Sequence, residues 1–327
     1  MTKIAIIGSG LTALSIANLL KQKADITLFE KARGVSGRMS TRRATPYVFD
    51  HGAQYFTART KAFQTFIQPL ISQGIIARWN ARCIKLDDSQ TAEYLDWLHD
   101  EPRYVGVPAM NSVTKYLAQG LTVHLNTKIV ALEYDNTWHL LDENGQTYKG
   151  FDWVISTLPS PQAAALLPET FKYHADIDNH DMQACFALML GFEEALSLPF
   201  DAAQVANADI SWIAVNNQKP GRSHPYSLTI HSSAAYAEQH IDNNRDKVMQ
   251  HLLDEASRFV GQDLHRATYK TLHGWRYASN VKRDPTPLFL DDQLKLAACG
   301  DWCSGGRVEG AFTSAYQLAT ALEETVL

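Results

Sequence analysis

The string Gly8-Ser9-Gly10-Leu11-Thr12-Ala13 constrains the fold of this chain more than any other feature. It stands between an apolar strand-like run, Ile4–Ile7, and an amphipathic stretch around Leu11–Lys21, and a second strand-like run, Asp25–Glu30, comes next. In a βαβ unit each small residue of such a string has a steric reason. Gly8 permits the tight turn, Gly10 lets the backbone approach a pyrophosphate, and Ala13 stands where a third glycine would admit close helix–strand contact. The helix N-terminus offers unpaired N–H groups and a partial positive charge to an anion. Glu30, at the end of the second strand, is placed to accept hydrogen bonds from an adenosine ribose. Alone, this pattern fits any adenine dinucleotide.

The segment after Glu30 narrows the choice. Lys31-Ala32-Arg33-Gly34-Val35-Ser36-Gly37-Arg38-Met39-Ser40-Thr41 resembles the second FAD motif of amine-oxidase-like flavoproteins, with Ser36-Gly37 in place of the usual Gly-Gly. Gly37 keeps the backbone close to the cofactor, and Arg38 can present a charged fork near the pyrophosphate. The tail carries a third motif, Cys299-Gly300-Asp301 and then Arg307-Val308-Glu309-Gly310-Ala311. In FAD enzymes of this class such a Gly-Asp lies by the ribitol. The helix after it directs its positive end at the flavin ring, where it would stabilise negative charge. Three motifs in order at opposite ends of the chain imply non-covalently bound FAD.

The 327 residues suffice for one large or two ordinary domains, and 45% hydrophobic with 20% charged residues is a globular composition. A net charge of −5 speaks against a general nucleic-acid or membrane-surface binder. No apolar run is long enough to cross a bilayer, and no signal-peptide pattern precedes the first strand. A cytoplasmic location is therefore expected. Of Cys83, Cys185, Cys299 and Cys303 only the last two are close, and no nearby histidines complete a zinc-like set. All four are expected reduced and mostly buried, with no metal site. Helical periodicity covers residues 61–79 and 244–259, a helix is expected from about 309 to 325, and alternating β-runs fall at 129–148, 184–191, 210–215, 226–230 and 267–277.

The expected fold is an α/β FAD-binding Rossmann-type domain with an inserted α+β substrate domain, in the p-hydroxybenzoate-hydroxylase/amine-oxidase-like architecture. The FAD-binding part is expected at 1–60, 106–160 and 286–327, and the substrate part at 61–105 and 161–285.

Beyond the FAD motifs, the strings Asp50-His51-Gly52-Ala53-Gln54-Tyr55-Phe56-Thr57, Val105-Gly106-Val107-Pro108, Leu228-Thr229-Ile230-His231-Ser232-Ser233 and Trp275-Arg276-Tyr277 resemble the bacterial branch of the renalase family. The resemblance covers nearly the whole chain. It implies an oxidase of the 2- or 6-dihydronicotinamide isomers of NAD(P)H, passing hydride to flavin N5 and then electrons to O2, with NAD(P)+ and hydrogen peroxide as products. Its partners are thus a small dinucleotide substrate and O2, with no nucleic acid and no membrane, in a monomer or homodimer. It implies catalytic-site roles for Tyr55, His231 and Trp275, and cofactor contacts at Gly8, Gly10, Thr12, Ala13, Glu30, Lys31, Gly37, Arg38, Gln54, Tyr55, Ile129, Gly300, Asp301, Arg307, Gly310 and Ala311. Arg222 is a further candidate by position, although a Lys219-Pro220-Gly221-Arg222 turn reads as an exposed loop. The rival readings are a flavin-containing amine oxidase, a flavin-binding redox sensor without turnover, and a flavin monooxygenase. The last lacks a second dinucleotide motif.

Overall fold

The computed structural model describes residues 1–87, 93–97, 101–223, 225–281, 286 and 288–326. The chain divides into two compact units: Met1–Arg38, Thr114–Met182 and Ser279–Leu327 form the first, and Met39–Val113 with Gln183–Ala278 the second. The first boundary thus falls at 38/39, where the sequence suggested 60/61. Residues 39–60 go with the second unit because Asp50 and Phe49, on strand Tyr47–Asp50, are anchored there by Arg222 and by Met189. For the same reason residues 106–113 leave the first unit: the Met110 N–H donates to the Asp50 carboxylate.

In the first unit Thr2–Ile7 is the centre of a six-stranded sheet in the order Phe289–Asp291, Leu296–Ala298, Trp153–Ser156, Thr2–Ile7, Ala24–Phe29, Thr122–His124. All neighbours pair in parallel except the first two. Ile4, Ala5 and Ile6 are fully buried, as a strand covered on both faces requires. The helices Leu11–Leu20 and Arg307–Thr325, from opposite ends of the sequence, pack together on this sheet's unit. The expected meander is a separate three-stranded sheet, Ile129–Asp135, Thr137–Asp142 and Thr147–Phe151.

The second unit is built on a seven-stranded sheet ordered Tyr269–Asn280, Met182–Gly191, Ser227–Ser232, Ile210–Val215, Ala202–Val205, Cys83–Leu86, Glu93–Leu95. Period-2 alternation sorts its faces. Phe186, Leu188 and Leu190 with Leu228 and Ile230 pack in one core with Leu252, Leu253, Ala256 and Phe259 of helix Arg245–Val260. Thr229 and His231 therefore turn to the opposite face, where Met189 meets Tyr47 and Phe49. That face carries the second group of candidate residues. Among the described residues, no helix is long and apolar enough to cross a membrane.

Candidate functional site

In the first unit the glycine turn has the geometry its sequence demands. Gly8 has φ +109°, and a Cβ there would lie 2.5 Å from Thr157 Oγ1. Gly37, at φ +52°, lies so close to Gly10 that a Cβ would stand 3.3 Å from the Gly10 Cα. Gly10 is different: its φ is −74°, and nothing of the protein lies within 4 Å of an added Cβ. Neither backbone conformation nor the chain's own packing calls for glycine there, so the open space beside it is a cradle that fits a bound diphosphate. Helix Leu11–Leu20 begins at Gly10 with no side-chain cap, which leaves its first N–H groups for such an anion. Thr12 and Ala13 are buried in that first turn.

The Glu30 carboxylate is held across this turn. One oxygen accepts from the Ser9 N–H at 3.0 Å and the Ser9 hydroxyl at 2.8 Å, and the other from the Ala32 N–H at 2.8 Å. Residues 126 and 127 hydrogen-bond to the backbone of Ala32 and Glu30, which brings buried Ile129 into the same neighbourhood. Lys31 is exposed, its ammonium 3.4 Å from Gln162 Oε1.

Arg38 and Asp301, far apart in sequence, form a two-pronged ion pair, with Nη1 donating to Oδ2 at 2.9 Å and Nη2 to Oδ1. Expected as separate contacts to pyrophosphate and ribitol, the two groups engage each other and tie the second motif to the third. Gly300 N donates to Ser314 Oγ at 3.1 Å, fastening the tail turn to the last helix. Gly310 is required by packing: a Cβ would lie 2.8 Å from the Ser304 carbonyl. Ala311 is buried beside it. Arg307 opens the helix exposed and at φ +72°. All four thiols are reduced, with Cys83, Cys299 and Cys303 buried and Cys185 partly so. Burial pushes the Cys83 and Cys299 thiols up to about 12 and Cys185 to about 11.

In the second unit Asp50 is the hub. Its Oδ1 accepts from Thr41 Oγ1 at 2.7 Å and the Met110 N–H at 2.9 Å; its Oδ2 accepts from Arg222 Nη2 at 2.5 Å, with Lys219 Nζ at 3.5 Å. All three charged side chains are fully buried. The expectation that Arg222 is an exposed loop charge is thus corrected: its guanidinium also donates to the Gly106 and Pro220 carbonyls, which pulls the whole turn inward. Burial raises the Asp50 pKa, but Lys219 and Arg222 more than offset it and hold the group at about 2. Sequence reading passed over Lys219. The signal was there in Asp50 itself, an acid ending the apolar run Tyr47-Val48-Phe49, which needs a buried cation.

Above this hub, Lys219 Nζ donates to Gln54 Oε1 at 3.1 Å, and Gln54 Nε2 donates to the Asp50 and Gly52 carbonyls at 2.6 and 3.0 Å. The amide orientation is fixed by those three bonds, and Nε2 lies 3.4 Å from His231 Nε2. Trp275 Nε1 donates to the His51 carbonyl at 2.9 Å, and its indole stacks on the His51 imidazole with centroids 5.2 Å apart and planes 27° apart. His273, another residue that sequence reading passed over, stands edge-on to both rings. Burial is the main cause that pushes His51 down to about 3 and His231 and His273 to about 4, so all three are neutral at physiological pH. Half-buried Tyr55 packs against Trp97 and Trp212, and Trp212 is the register partner of His231. The structure therefore brings Gln54, Tyr55, His231 and Trp275 onto one side of the second unit.

Residues 59–322 match the family described as flavin containing amine oxidoreductase, and residues 6–70 an NAD(P)-binding Rossmann-like domain. The chain belongs to the flavin-containing amine oxidoreductase family. It is renalase-like within it: mouse (Mus musculus) renalase is 22% identical over 354 residues, covering 100% of both chains. Similar solved structures include one named for protoporphyrinogen oxidase from Exiguobacterium sp. 255-15, at TM-score 0.78 and 13% identity. Another is wild-type putrescine oxidase bound to putrescine, at TM-score 0.69 and 12% identity. Each covers 99% of both chains, and at that identity they show the shared fold. This family member is accordingly an oxidoreductase with a flavin cofactor.

Proposed function

We propose that this flavoprotein binds FAD non-covalently and oxidises 2- or 6-dihydronicotinamide isomers of NAD(P)H, giving NAD(P)+ and, with O2, hydrogen peroxide. When bound, FAD supplies the hydride acceptor and hands the electrons on to O2. Gly8, Gly10 and the first turn of the Leu11–Leu20 helix would hold its diphosphate, Glu30 its ribose, and Gly300 with Asp301 its ribitol. The renalase resemblance supports the substrate class. The observation that carries the reading is the ring surface of His51, His273 and Trp275, whose histidines are held neutral, next to His231, which is neutral as well. Asp50 is locked into its ion pairs and cannot serve as a base. Hydride loss from a dihydropyridine needs no base, because formation of the aromatic pyridinium drives it. The demand on the chain is to stack a flat ring and hold it still, which the partly exposed rings of Trp275 and His273 would do. A protonated amine would first have to lose a proton, and none of these groups is poised to take it.

Anaerobic mixing of the FAD-loaded protein with the separated 2- and 6-dihydro isomers tests this. Bleaching of the yellow chromophore by one of them, with ordinary NAD(P)H inert and colour restored in air, is the expected result. Bleaching by simple amines with ammonia release, and by neither isomer, would transfer the assignment to an amine oxidase.

A further inference from the structure

The Asp50 hub is not electrically balanced. Lys219 and Arg222 each reach the same carboxylate, all three side chains are fully buried, and among the described residues no second carboxylate pairs with either cation. Arg222 holds Asp50 at 2.5 Å and spends its other amino group on two carbonyls. Lys219 stands off at 3.5 Å, donates to Gln54 Oε1 at 3.1 Å and lies 5.4 Å over the Trp79 ring. Arg222 is thus the closer partner; Asp50 is shared between the two cations, and the trio keeps one positive charge in excess, which Lys219 directs toward Gln54. That charge reaches the ring surface through a short path, from Nζ to the Gln54 amide and from the amide, at 3.4 Å, to His231. It is felt there, since Lys219 helps keep the His231 imidazole unprotonated. Far from water, a unit charge acts over several ångströms with little screening.

We propose that Lys219 is the specificity-determining residue of this surface, its buried and only partly compensated charge admitting neutral or anionic planar rings beside Gln54 and His231 and turning cationic ones away. The inference rests on the reading of this surface as a dihydronicotinamide site and says what selects the ring. It also bears on product release. A dihydropyridine is neutral; when a hydride, one hydrogen with two electrons, leaves its ring carbon for the bound flavin, the ring becomes a cation. Lys219 then disfavours the product ring more than the substrate ring and hastens its departure.

The charge is removable. Burial, with help from Arg222 and against the pull of Asp50, lowers Lys219 from 10.5 to about 8. Asp50 at about 2, His231 at about 4 and His51 at about 3 do not titrate near that value. Selectivity should therefore be nearly full about one pH unit or more below 8, half lost near 8 and fade above it.

Three pyridine probes of similar shape and fixed charge read this out on the FAD-loaded protein: nicotinate, nicotinamide and 1-methylnicotinamide, titrated by calorimetry and by flavin absorbance from about pH 6.5 to about pH 9.5. Nicotinate should bind about tenfold more tightly than 1-methylnicotinamide at the acid end, a gap of about 1.4 kcal/mol. The gap should shrink through a midpoint near pH 8. Lys219→Met should abolish both the preference and the pH step, whereas Lys219→Arg should keep the preference without the step, because arginine does not titrate there. A pH-independent ratio in the wild type, an unchanged ratio in Lys219→Met, or no detectable binding of any probe would overturn the proposal. Should either variant fail to fold or to hold FAD, the wild-type pH series decides alone. Probe selectivity with no bleaching by either dihydro isomer would sink the substrate reading and leave the charge selection standing; bleaching without selectivity would do the reverse.

Discussion

At Gly8 the backbone takes a φ of +109°, and Thr157 Oγ1 stands where a Cβ would go; two residues later Gly10 has an ordinary φ and open space around it. Alanine at the two positions should therefore separate folding from cofactor binding. Gly8→Ala is expected to cost the apo-protein about 1–3 kcal/mol, from strain and collision together. Gly10→Ala should cost less than about 1 kcal/mol, the value of an altered helix start, yet weaken FAD binding at least tenfold. Urea unfolding of the apo-proteins and FAD titration check both. Asp50 gives the opposite contrast, a residue whose loss leaves buried charge behind. Asp50→Asn strands Lys219 and Arg222 in the interior and should destabilise by about 3–5 kcal/mol. The sign of its pH dependence is set by the lowered pKa. With Asp50 at 3.8 unfolded and about 2 folded, its contribution is complete above pH 3.8 and is lost as the pH falls through about 2. The variant should accordingly lose stability less steeply than the wild type in that acid range, as urea midpoints at several pH values would show.

The elements themselves were largely legible, because their signals are local. The alternating runs at 184–191 and 210–215 became strands Met182–Gly191 and Ile210–Val215, and the periodic stretch at 244–259 became helix Arg245–Val260. Where the expectation overran, a single residue explains it: the helix expected over 61–79 stops at Ser72, because Gly74 turns at φ +71° into strand Ile76–Arg78. What sequence could not show is pairing at a distance. Lys219 and Arg222 flank a Pro-Gly turn, the signature of an exposed loop, and only the fold reveals that Asp50 draws them in. Arg38 and Asp301 were each recognised, but not as each other's partner. The start of the last helix carries a further consequence. Gly305, Gly306 and Arg307 are all left-handed, at φ +78°, +76° and +72°, and only the third has a side chain to resist it. Arg307 is exposed and also places a positive charge at the positive end of a helix. Arg307→Gly should therefore be neutral or stabilise the apo-protein by up to about 1 kcal/mol, read as a rise in Tm. A clear loss of stability would show that Arg307 is held by contacts strong enough to outweigh both costs.

For the molecule as a whole, the thiols bear directly on how the cofactor is kept. A covalent flavin link through sulfur needs an accessible thiolate. Here Cys83, Cys299 and Cys303 are buried and Cys185 is partly so, and burial raises every one of the four. Cys299 and Cys303, the one close pair in sequence, are both unoxidised, and neither presents a nucleophile at neutral pH. On the proposed non-covalent reading, FAD would be retained by the diphosphate cradle, the Glu30 carboxylate and the tail, all of which are lost on unfolding. Heat- or acid-precipitated holoprotein should release its entire yellow colour into the supernatant, with FAD as the released species and a colourless pellet. In the same experiment a thiol reagent should react slowly with the native protein and titrate all four cysteines once it is denatured. Colour retained in the pellet would mean a covalent link and that non-covalent binding has to be abandoned; fewer than four titratable thiols alongside it would place that link on one of these sulfurs.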